Sequence, residues 1–415
     1  MFRRSTIQSL VILLVLALIA QAALLALLSA LLLVTAGVAW LWNRYALARV
    51  EFERTFSTQR AFPGDTVELA ITITNRKPLP LTQIEVRDRI PAGLHIDSDD
   101  IAFDNEDRQA IQRATSMRWY ERVTWRYSVV CQKRGTYRIG PAQLDSGDPF
   151  GFYRAARDMP PGESLIVYPS LLPLHELGLP ARNPLGTLRA RTLIRDPLLT
   201  VGVRDYHPDD PIKDVHWAAT ARTGVLQTRI YEPTTARELA IILDLDSFEQ
   251  YWRGVDDTQI ERLISAAATV AKTGLAEGYA VGMYVNGSPA QFEQLVRLPP
   301  GRSPAQLERI METLARLTPY SVTQVARVLR MAAADLRGGT ILLLISSIQP
   351  RTSVAEMARL RERGRSVAWL YLGEDAPPNL PGVTIYHAPP VNDWQRNSKH
   401  NEQPQDHRSW VDKPD

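Results

Sequence analysis

Residues 201–233 read VGVRDYHPDDPIKDVHWAATARTGVLQTRIYEP, and this stretch separates two parts of the chain with different hydrophobic patterns. Pro208 and Pro211 predict a turn, because proline fixes the backbone φ angle and has no N–H to donate. Asp214 is placed to cap a short helix that Gly224 would end, and a strand is predicted to follow. The stretch is therefore predicted to be a junction between two domains.

Upstream of this stretch, apolar residues alternate with mostly polar ones. The pattern is clearest at Val67, Leu69, Ile71 and Ile73, and it predicts a strand with one buried face. Similar strands recur up to residue 140, separated by polar turns and without a helical pattern. These features predict an all-β, sandwich-like domain, and a plain structural spacer is its favoured role.

Downstream, continuous apolar runs alternate with segments of helical periodicity. The runs are LAIILDLD at 239–246, YAVGMYV at 279–285, TILLLISS at 340–347 and SVAWLYLG at 366–373. A strand that is apolar on both faces is typical of a parallel sheet covered by helices on each side. The alternation predicts an α/β domain with a doubly wound sheet.

The N-terminal region predicts a membrane anchor. Residues 7–42 are 36 consecutive residues without a charged side chain. One membrane helix needs about 20 residues, so two tight spans fit this run. The flanking arginines are Arg3, Arg4, Arg44, Arg49 and Arg54. Positive charge at both ends places both ends in the cytoplasm, which requires a hairpin. One long tilted helix, with the domains outside the cell, is the alternative.

These patterns together predict a multi-domain chain with five segments. They are a membrane anchor of two transmembrane helices at 1–49, a β-sandwich-like domain at 50–175, the junction at 176–237, the α/β domain at 238–388 and a disordered polar tail at 389–415.

Composition excludes several functional classes. The formal net charge of +3 gives no indication of nucleic-acid binding. The single cysteine, Cys131, lies in a strand-like run and is interpreted as a core residue. The chain contains no Gly-Lys-Ser/Thr phosphate loop, no Gly-x-Ser-x-Gly and no His-Glu-x-x-His. No catalytic residue is therefore predicted, and the chain is not expected to be an enzyme.

The junction carries a recognisable set of residues. They are Arg204, Tyr206, Pro208, Asp210, His216, Trp217, Ala221, Arg222 and Glu232. In this set the chain resembles a large bacterial family called domain of unknown function 58, with Asp209 where that family usually has glycine. Weaker matches are GTYRIGPAQL at 135–144, GDPFGFY at 147–153 and VYPSLLPL at 167–174. The family has no established reaction.

Three interpretations of the charged residues in the junction remain open. The favoured one is a structural lock, in which arginines pair with carboxylates and Trp217 packs in a core. The arginines are Arg204, Arg222 and Arg229, and the carboxylates are Asp209, Asp210, Asp214 and Glu232. The second interpretation is a partner-binding surface. The third is catalysis or metal binding by His207, His216 and the aspartates.

Together with the family resemblance, the α/β part looks like a von Willebrand factor A-type domain. Such domains bind Mg²⁺ through an Asp-x-Ser-x-Ser loop at the carboxyl end of the first strand, with further ligands from later loops. Here Asp246 and Phe248 replace the two serines, and Ser346 and Ser347 stand where an Asp is expected. A degenerate site without a cofactor is favoured, although Asp244 and Asp246 could together hold Mg²⁺.

The resemblance also implies a partner and a location. The family is often encoded beside MoxR-type AAA ATPases, which implies such an ATPase as the partner of a multi-pass protein of the bacterial inner membrane with its globular part in the cytoplasm. The leading hypothesis is a scaffold or interaction protein for assembly or envelope maintenance. A Mg²⁺-dependent adhesion module and an envelope-related enzyme are the alternatives.

Overall fold

A computed structural model describes residues 4–105, 108–180, 185, 194–234, 237–249, 251–289 and 294–390. The chain divides into two compact units, Met1–Ser170 and Leu171–Asp415. Most of the predicted disordered tail lies outside the described residues.

The first unit begins with two apolar helices that contact each other, α1 (Arg4–Ile19) and α2 (Ala23–Ala46). Helix α2 has 24 residues and a mean hydropathy of 2.4, so it is long and apolar enough to cross a membrane. At 1.5 Å per residue, α1 is about 24 Å long, short of the roughly 30 Å of a hydrocarbon core. One apolar helix is compatible with a membrane anchor, and the length of α1 does not support the prediction of two spans.

Helix α2 is tied to the β-strands that follow by a buried lysine. The ammonium of Lys77 donates a 2.5 Å hydrogen bond to the carbonyl oxygen of Ala46, the last residue of α2. A positive charge is favourable there, because the carboxyl end of a helix carries partial negative charge. Burial lowers the pKa of Lys77 to about 8. The lysine thus attaches the apolar helix to its own unit.

The rest of the first unit is a β-rich region of twelve strands. They are β1 (Val50–Phe56), β2 (Arg60–Ala61), β3 (Thr66–Asn75), β4 (Leu81–Ile90), β5 (Leu94–Ile96), β6 (Ile101–Asn105), β7 (Arg108–Met117), β8 (Arg122–Cys131), β9 (Gly135–Arg138), β10 (Ala142–Gly147), β11 (Arg154–Met159) and β12 (Ser164–Val167). They form sheets in the orders β1-β3-β8-β5, β11-β10-β4-β7-β6 and β2-β12-β9. The inward residues of β3 and β4 belong to one core, as the alternating pattern predicts.

A buried ion pair connects the two larger sheets. The Nε atom of Arg54 on β1 lies 2.6 Å from the Oδ2 atom of Asp88 on β4, and Nη2 lies 3.0 Å from Oδ1. The Nη1 atom of Arg54 also donates to the carbonyl oxygen of Pro160 at 2.8 Å. Both side chains are buried, at 4% and 0% exposed. Both carboxylate oxygens of Asp88 accept from Arg54, and Arg54 also donates to Pro160. The pair therefore fixes the orientation of the two sheets relative to each other.

In the second unit, strands alternate with helices. In order they are β13 (Ile194–Asp205), α3 (Trp217–Thr223), β14 (Gln227–Thr234), β15 (Glu238–Leu243), α4 (Asp257–Ala276), β16 (Ala280–Val285), β17 (Gly287–Pro289), β18 (Val296–Gly301), α5 (Pro304–Arg316), β19 (Leu317–Ser321), α6 (Val325–Asp335), β20 (Ile341–Ser346), α7 (Arg351–Glu362), β21 (Ser366–Tyr371) and β22 (Thr384–His387). A six-stranded sheet has the order β18-β16-β15-β20-β21-β22. Its strands are parallel except β18, which pairs antiparallel with β16 at one edge.

The predicted junction folds as a two-stranded antiparallel ribbon of β13 and β14. Helix α3 ends at Gly224, which has a φ angle of +72°, as predicted. The helix cap is different from the prediction. Asp214 ends a short 3-10 turn, and His216 caps α3 by accepting a 3.0 Å hydrogen bond from the Ala219 N–H at Nδ1. The imidazole therefore supplies the cap that was expected from a carboxylate.

The buried pair in the first unit generates a stability prediction. Arg54→Ala or Asp88→Ala should each lower the free energy of unfolding by ~3–5 kcal/mol, because the remaining charge is left buried and unpaired. The double variant with Arg54→Met and Asp88→Leu should recover most of that loss. Chemical unfolding of the full-length protein in detergent would measure these differences.

The matched control is the exposed pair of Arg76 and Glu51, whose side chains are also 2.6 Å apart. Arg76→Ala should cost only ~0–1 kcal/mol, since water screens this pair. Equal losses for Arg54→Ala and Arg76→Ala would contradict a structural role for the buried pair.

Candidate functional site

The turn between β13 and the 3-10 segment is closed by an ion pair predicted from the sequence. The Nη2 atom of Arg204 donates to Oδ1 of Asp210 at 2.6 Å, and the His207 backbone N–H donates to Oδ2 at 3.0 Å. The Arg204 guanidinium, and then the His207 N–H, lower the pKa of the Asp210 carboxyl. Asp210 therefore remains an acceptor for both donors, and the proline-containing turn keeps one conformation.

The base of the ribbon is also held by hydrogen bonds. The His216 N–H donates to the Gln227 carbonyl oxygen at 2.8 Å, and the Gln227 amide donates to Asp205 at 2.6 Å. The Tyr206 N–H donates to the Leu226 carbonyl oxygen at 2.9 Å. Asp214 is buried beside these residues. Helix α3 thus projects from a rigid base.

The prediction that Trp217 packs in a core is wrong. Its side chain is 65% exposed, and Arg222 on the same helix is also exposed. The physical reason is the cap: His216 is the N-cap, so Trp217 is the first residue of α3, and this short helix leaves its outer face in solvent. The side chain of Glu232 lies outside the described residues. Of the predicted lock, the structure shows the Arg204–Asp210 pair and a buried Asp214.

The ribbon exposes an unusual number of large apolar side chains. We call them the ribbon surface: Val203, Ile212, Trp217, Val225, Leu226 and Ile230. Scattered exposed apolar residues are normal, but several on neighbouring segments form a contact surface. Ile212, Trp217, Val225 and Leu226 lie on α3 and in the turns beside it, whereas Val203 and Ile230 lie on opposite faces of the ribbon, because Val203 pairs with Arg229. The sequence alone does not predict this exposure, because the same pattern is compatible with a core.

A second polar group lies at the carboxyl end of the parallel sheet. Residues Leu243 and Val285 are paired on neighbouring strands, which places Asp244 beside Asn286. The Asn286 side chain accepts a 2.8 Å hydrogen bond from the Leu245 N–H at Oδ1. Its Nδ2 atom donates to Oδ1 of Asp244 at 2.6 Å and to Oδ2 of Asp246 at 3.3 Å. The amide group therefore bridges the two candidate metal ligands.

Asp244 lies in an environment that disfavours its charge. The residue is fully buried, and its Oδ2 atom has no hydrogen-bond partner within the described part of the chain. Burial, and then the nearby Asp246 carboxylate, hold the pKa of Asp244 well above its usual range. Both causes favour the protonated form of Asp244 over its charged form.

The surrounding hydroxyls do not form a set of Mg²⁺ ligands. The Ser346 hydroxyl donates to the Ile348 carbonyl oxygen at 3.1 Å and accepts from the Trp369 indole at 2.8 Å. The Ser347 hydroxyl donates to the Asp246 carbonyl oxygen at 3.2 Å. Mg²⁺ requires several oxygen ligands in octahedral geometry, whereas here an N–H donor lies between the carboxylates. The group fits hydrogen bonding better than cation binding.

The position of Phe248 is also unfavourable for a Mg²⁺ site. Phe248 stands where a serine ligand would be, and the Arg253 guanidinium lies 4.7 Å from its ring centroid. Within the described residues, no group of three His, Cys, Asp or Glu side chains is arranged to hold a metal ion.

Sequence reasoning missed Asn286 and Ser321. The Ser321 hydroxyl donates to Oδ1 of Asp246 at 2.5 Å, so both oxygens of that carboxylate are held by side chains. A signal for Asn286 was present, since it directly follows the apolar run at 279–285 and must lie at the same edge as Asp244. Ser321 ends the short strand β19, which has no long apolar run in the sequence, and it carries no comparable signal.

The buried carboxyl generates a pH prediction. Because the folded pKa of Asp244 is above the unfolded value, the folded state binds the proton more tightly. Wild-type stability should therefore fall as pH rises from about 4 towards the raised pKa. Asp244→Asn removes this titrating group. As pH rises over this range, the melting temperature of the variant should therefore increase relative to that of the wild type.

Asp257 is exposed, so Asp257→Asn is the control, and its melting temperature should change with pH as that of the wild type does. Millimolar Mg²⁺ should leave the wild-type melting temperature unchanged, since a tightly bound cation would stabilise the native state. A Mg²⁺-dependent rise that Asp244→Asn abolishes would contradict this account.

Solved structures offer only low-scoring similarities. One is native alpha-2-macroglobulin of Escherichia coli from domain MG7 to the C-terminus, at 18% identity over 29% of this chain and 24% of that chain, with a TM-score of 0.23. Another is a cohesin–dockerin complex from Clostridium thermocellum, at 11% identity over 28% of this chain and 98% of that chain, with a TM-score of 0.20. Scores this low do not establish a shared fold.

Sequence relatives are more informative. The "Uncharacterized protein YeaD" of Bacillus subtilis (strain 168) is 21% identical over 248 residues, which cover 58% of this chain and 56% of YeaD. The chain thus spans about half the length of this curated relative. Residues 202–387 match the family described as "Protein of unknown function DUF58", which is the family that the junction residues resemble.

Proposed function

We propose that this chain is a membrane-anchored interaction protein that binds a partner protein through the ribbon surface. The observation that carries the proposal is the exposure of Trp217, at 65%, on a helix held by its His216 cap and by Gly224. A large aromatic side chain on a rigid base contributes contact area at a low cost in conformational entropy. Trp is also enriched among the residues that dominate binding energy.

The neighbouring residues support the same function. Ile212 and Val225 extend the apolar area around the helix, and the Arg204–Asp210 pair supplies a charged border. An apolar centre with a polar rim is the usual organisation of a protein interface. Helix α2 supports the membrane anchor, because it has the length and hydropathy of a spanning helix.

The family resemblance supplies a specific partner. Members are often encoded beside MoxR-type AAA ATPases, and we propose such an ATPase as the protein that covers Trp217. This assigns the chain to a scaffold or assembly role and the globular part to the cytoplasm. With α2 as the spanning helix, Arg44 and Arg49 at its carboxyl end favour that side. The von Willebrand factor A-like assignment belongs to the same proposal and is supported by the parallel sheet with Asp244 at its carboxyl end.

The alternative of Mg²⁺-dependent adhesion has one supporting observation, the proximity of Asp244 and Asp246 through Asn286. The amide donor between them weighs against it. Catalysis by the junction histidines has less support, because Nδ1 of His216 is used as the helix cap and His207 is exposed beside Asp209.

Trp217→Ala should weaken capture of the MoxR-type ATPase by the full-length protein at least about tenfold, since truncating a hot-spot aromatic residue typically costs about 2 kcal/mol or more. The melting temperature should be unchanged, because Trp217 is mostly in solvent. Trp119→Ala is the matched control, since Trp119 is also 65% exposed but lies in the first unit. Equal ATPase binding by both variants, or a melting temperature lowered by Trp217→Ala, would contradict the proposal.

The proposed orientation has its own test. A reporter enzyme that is active only outside the inner membrane, fused after Asp415, should give no signal. The same reporter fused to an exported protein is the positive control. A strong signal from the fusion would place the globular part outside and would remove a cytoplasmic ATPase as partner.

A further inference from the structure

Two aromatic side chains are exposed on segments that connect to the carboxyl end of the parallel sheet. Trp252 is 70% exposed in a 3-10 turn after β15, and Tyr320 is 64% exposed in β19. The Ser321 hydroxyl beside Tyr320 donates to Asp246 in the loop after β15, and the Val322 N–H donates to the Asn286 carbonyl oxygen after β16 at 2.7 Å. Hydrogen bonds therefore connect the end of β19 to the loops that follow β15 and β16.

The same edge is acidic. Glu249, Glu374 and Asp375 are exposed, and the charges of all three raise the pKa of Tyr371 after burial has done so. Glu249 follows β15, and Glu374 and Asp375 follow β21, so all three lie in loops at the carboxyl ends of strands of one parallel sheet. In the loops at 244–257, 347–351 and 372–376, which follow β15, β20 and β21, the basic residues are Arg253 and Arg351, and the guanidinium of Arg253 already lies on the Phe248 ring.

A buried carboxyl group, that of Asp244, makes this edge different from an acidic loop that is simply exposed to solvent. Asp244 is fully buried, and its Oδ2 atom has no hydrogen-bond partner within the described residues. Its second oxygen and Asp246 share the Asn286 amide, so the polar group extends from the interior to the surface. The edge thus combines the hydrogen-bonded group of Asp244, Asp246 and Asn286 with exposed aromatic rings and negatively charged side chains.

We propose that this edge, formed by Asp246, Glu249, Trp252, Tyr320, Glu374 and Asp375, binds a segment of a partner protein that carries Lys or Arg beside an apolar residue. The acidic edge surface is distinct from the ribbon surface and shares no residue with it. The inference therefore goes beyond the function proposed for Trp217.

The chemistry of the acidic edge surface selects such a segment. A partner cation is attracted by the carboxylates, and a guanidinium can also stack on an exposed indole or phenol ring. The contact of Arg253 with Phe248 shows that geometry within this edge. Each oxygen of Asp246 accepts one hydrogen bond from a side chain, which leaves acceptor capacity for a partner N–H.

The same charges exclude other partners. Phosphate groups of nucleic acids or anionic lipids would be repelled by the carboxylates, because like charges disfavour association. A divalent cation would have to displace the Asn286 amide from between its two acceptors. A basic protein segment meets neither obstacle.

The test uses the full-length protein in nanodiscs of phosphatidylcholine, with empty nanodiscs as the blank. The probe is a fluorescein-labelled peptide of alternating Arg and Leu, and a peptide of alternating Glu and Leu is its counterpart. Fluorescence anisotropy should show saturable binding of the Arg-Leu peptide and no saturable binding of the Glu-Leu peptide. The affinity should fall with added salt, because screening weakens exposed charges.

Two sets of variants locate the peptide. Trp252→Ala with Tyr320→Ala, and separately Glu374→Gln with Asp375→Gln, should each weaken binding at least about tenfold without lowering the melting temperature. All four residues are exposed, so loss of folding is not expected. Trp119→Ala and Trp217→Ala are the controls and should bind the peptide like the wild type.

Several outcomes would overturn the proposal. They are equal binding of the Arg-Leu and Glu-Leu peptides, unchanged affinity in both double variants, or competition of the peptide with millimolar Mg²⁺ that Asp244→Asn abolishes. Loss of peptide binding in Trp217→Ala would overturn it as well, since it would assign the peptide to the ribbon surface. ATPase capture is measured separately, so failure of either proposal leaves the other testable.

Discussion

The Asn286 amide between Asp244 and Asp246 is the interaction on which the carboxyl end of the sheet depends. Its Nδ2 atom lies 2.6 Å and 3.3 Å from the two carboxylates, and its Oδ1 atom accepts from the Leu245 N–H. The side-chain amide donates hydrogen bonds to two carboxylates and also accepts one from a backbone N–H. A metal ion could bind the carboxylates but could not accept a hydrogen bond. The amide thereby joins the loop at 244–246 to residue 286.

The buried ion pair in the first unit and two exposed aromatic residues in the second unit are both supported by hydrogen bonds. In the first unit, the Arg54–Asp88 pair is buried and bonded on all sides, so it contributes to structure and offers nothing to a partner. In the second unit, hydrogen bonds fix the backbone around Trp217 and Tyr320 while the side chains stay in solvent. Rigid support beneath exposed aromatic rings is the arrangement that lowers the entropic cost of binding.

Much of the fold was predictable because it follows from periodicity. The alternation at Val67 to Ile73 and the apolar run at 239–246 both lie in strands, and Gly224 ends its helix. The exposure of Trp217 was not predictable, since a short capped helix and a buried one have the same local sequence. The amide bridge was also missed, because it depends on the register that places Asn286 beside Asp244 across two strands.

The central claim is that a neutral Asp244 and an amide donor, rather than a cation, hold this end of the sheet. Infrared difference spectroscopy of wild type against Asp244→Asn, in mildly acidic buffer, tests it most directly. The account predicts a carbonyl stretch of a protonated carboxylic acid in the wild type that is missing in the variant and unaffected by Mg²⁺. A carboxylate band that shifts when Mg²⁺ is added, with no protonated band, would contradict it.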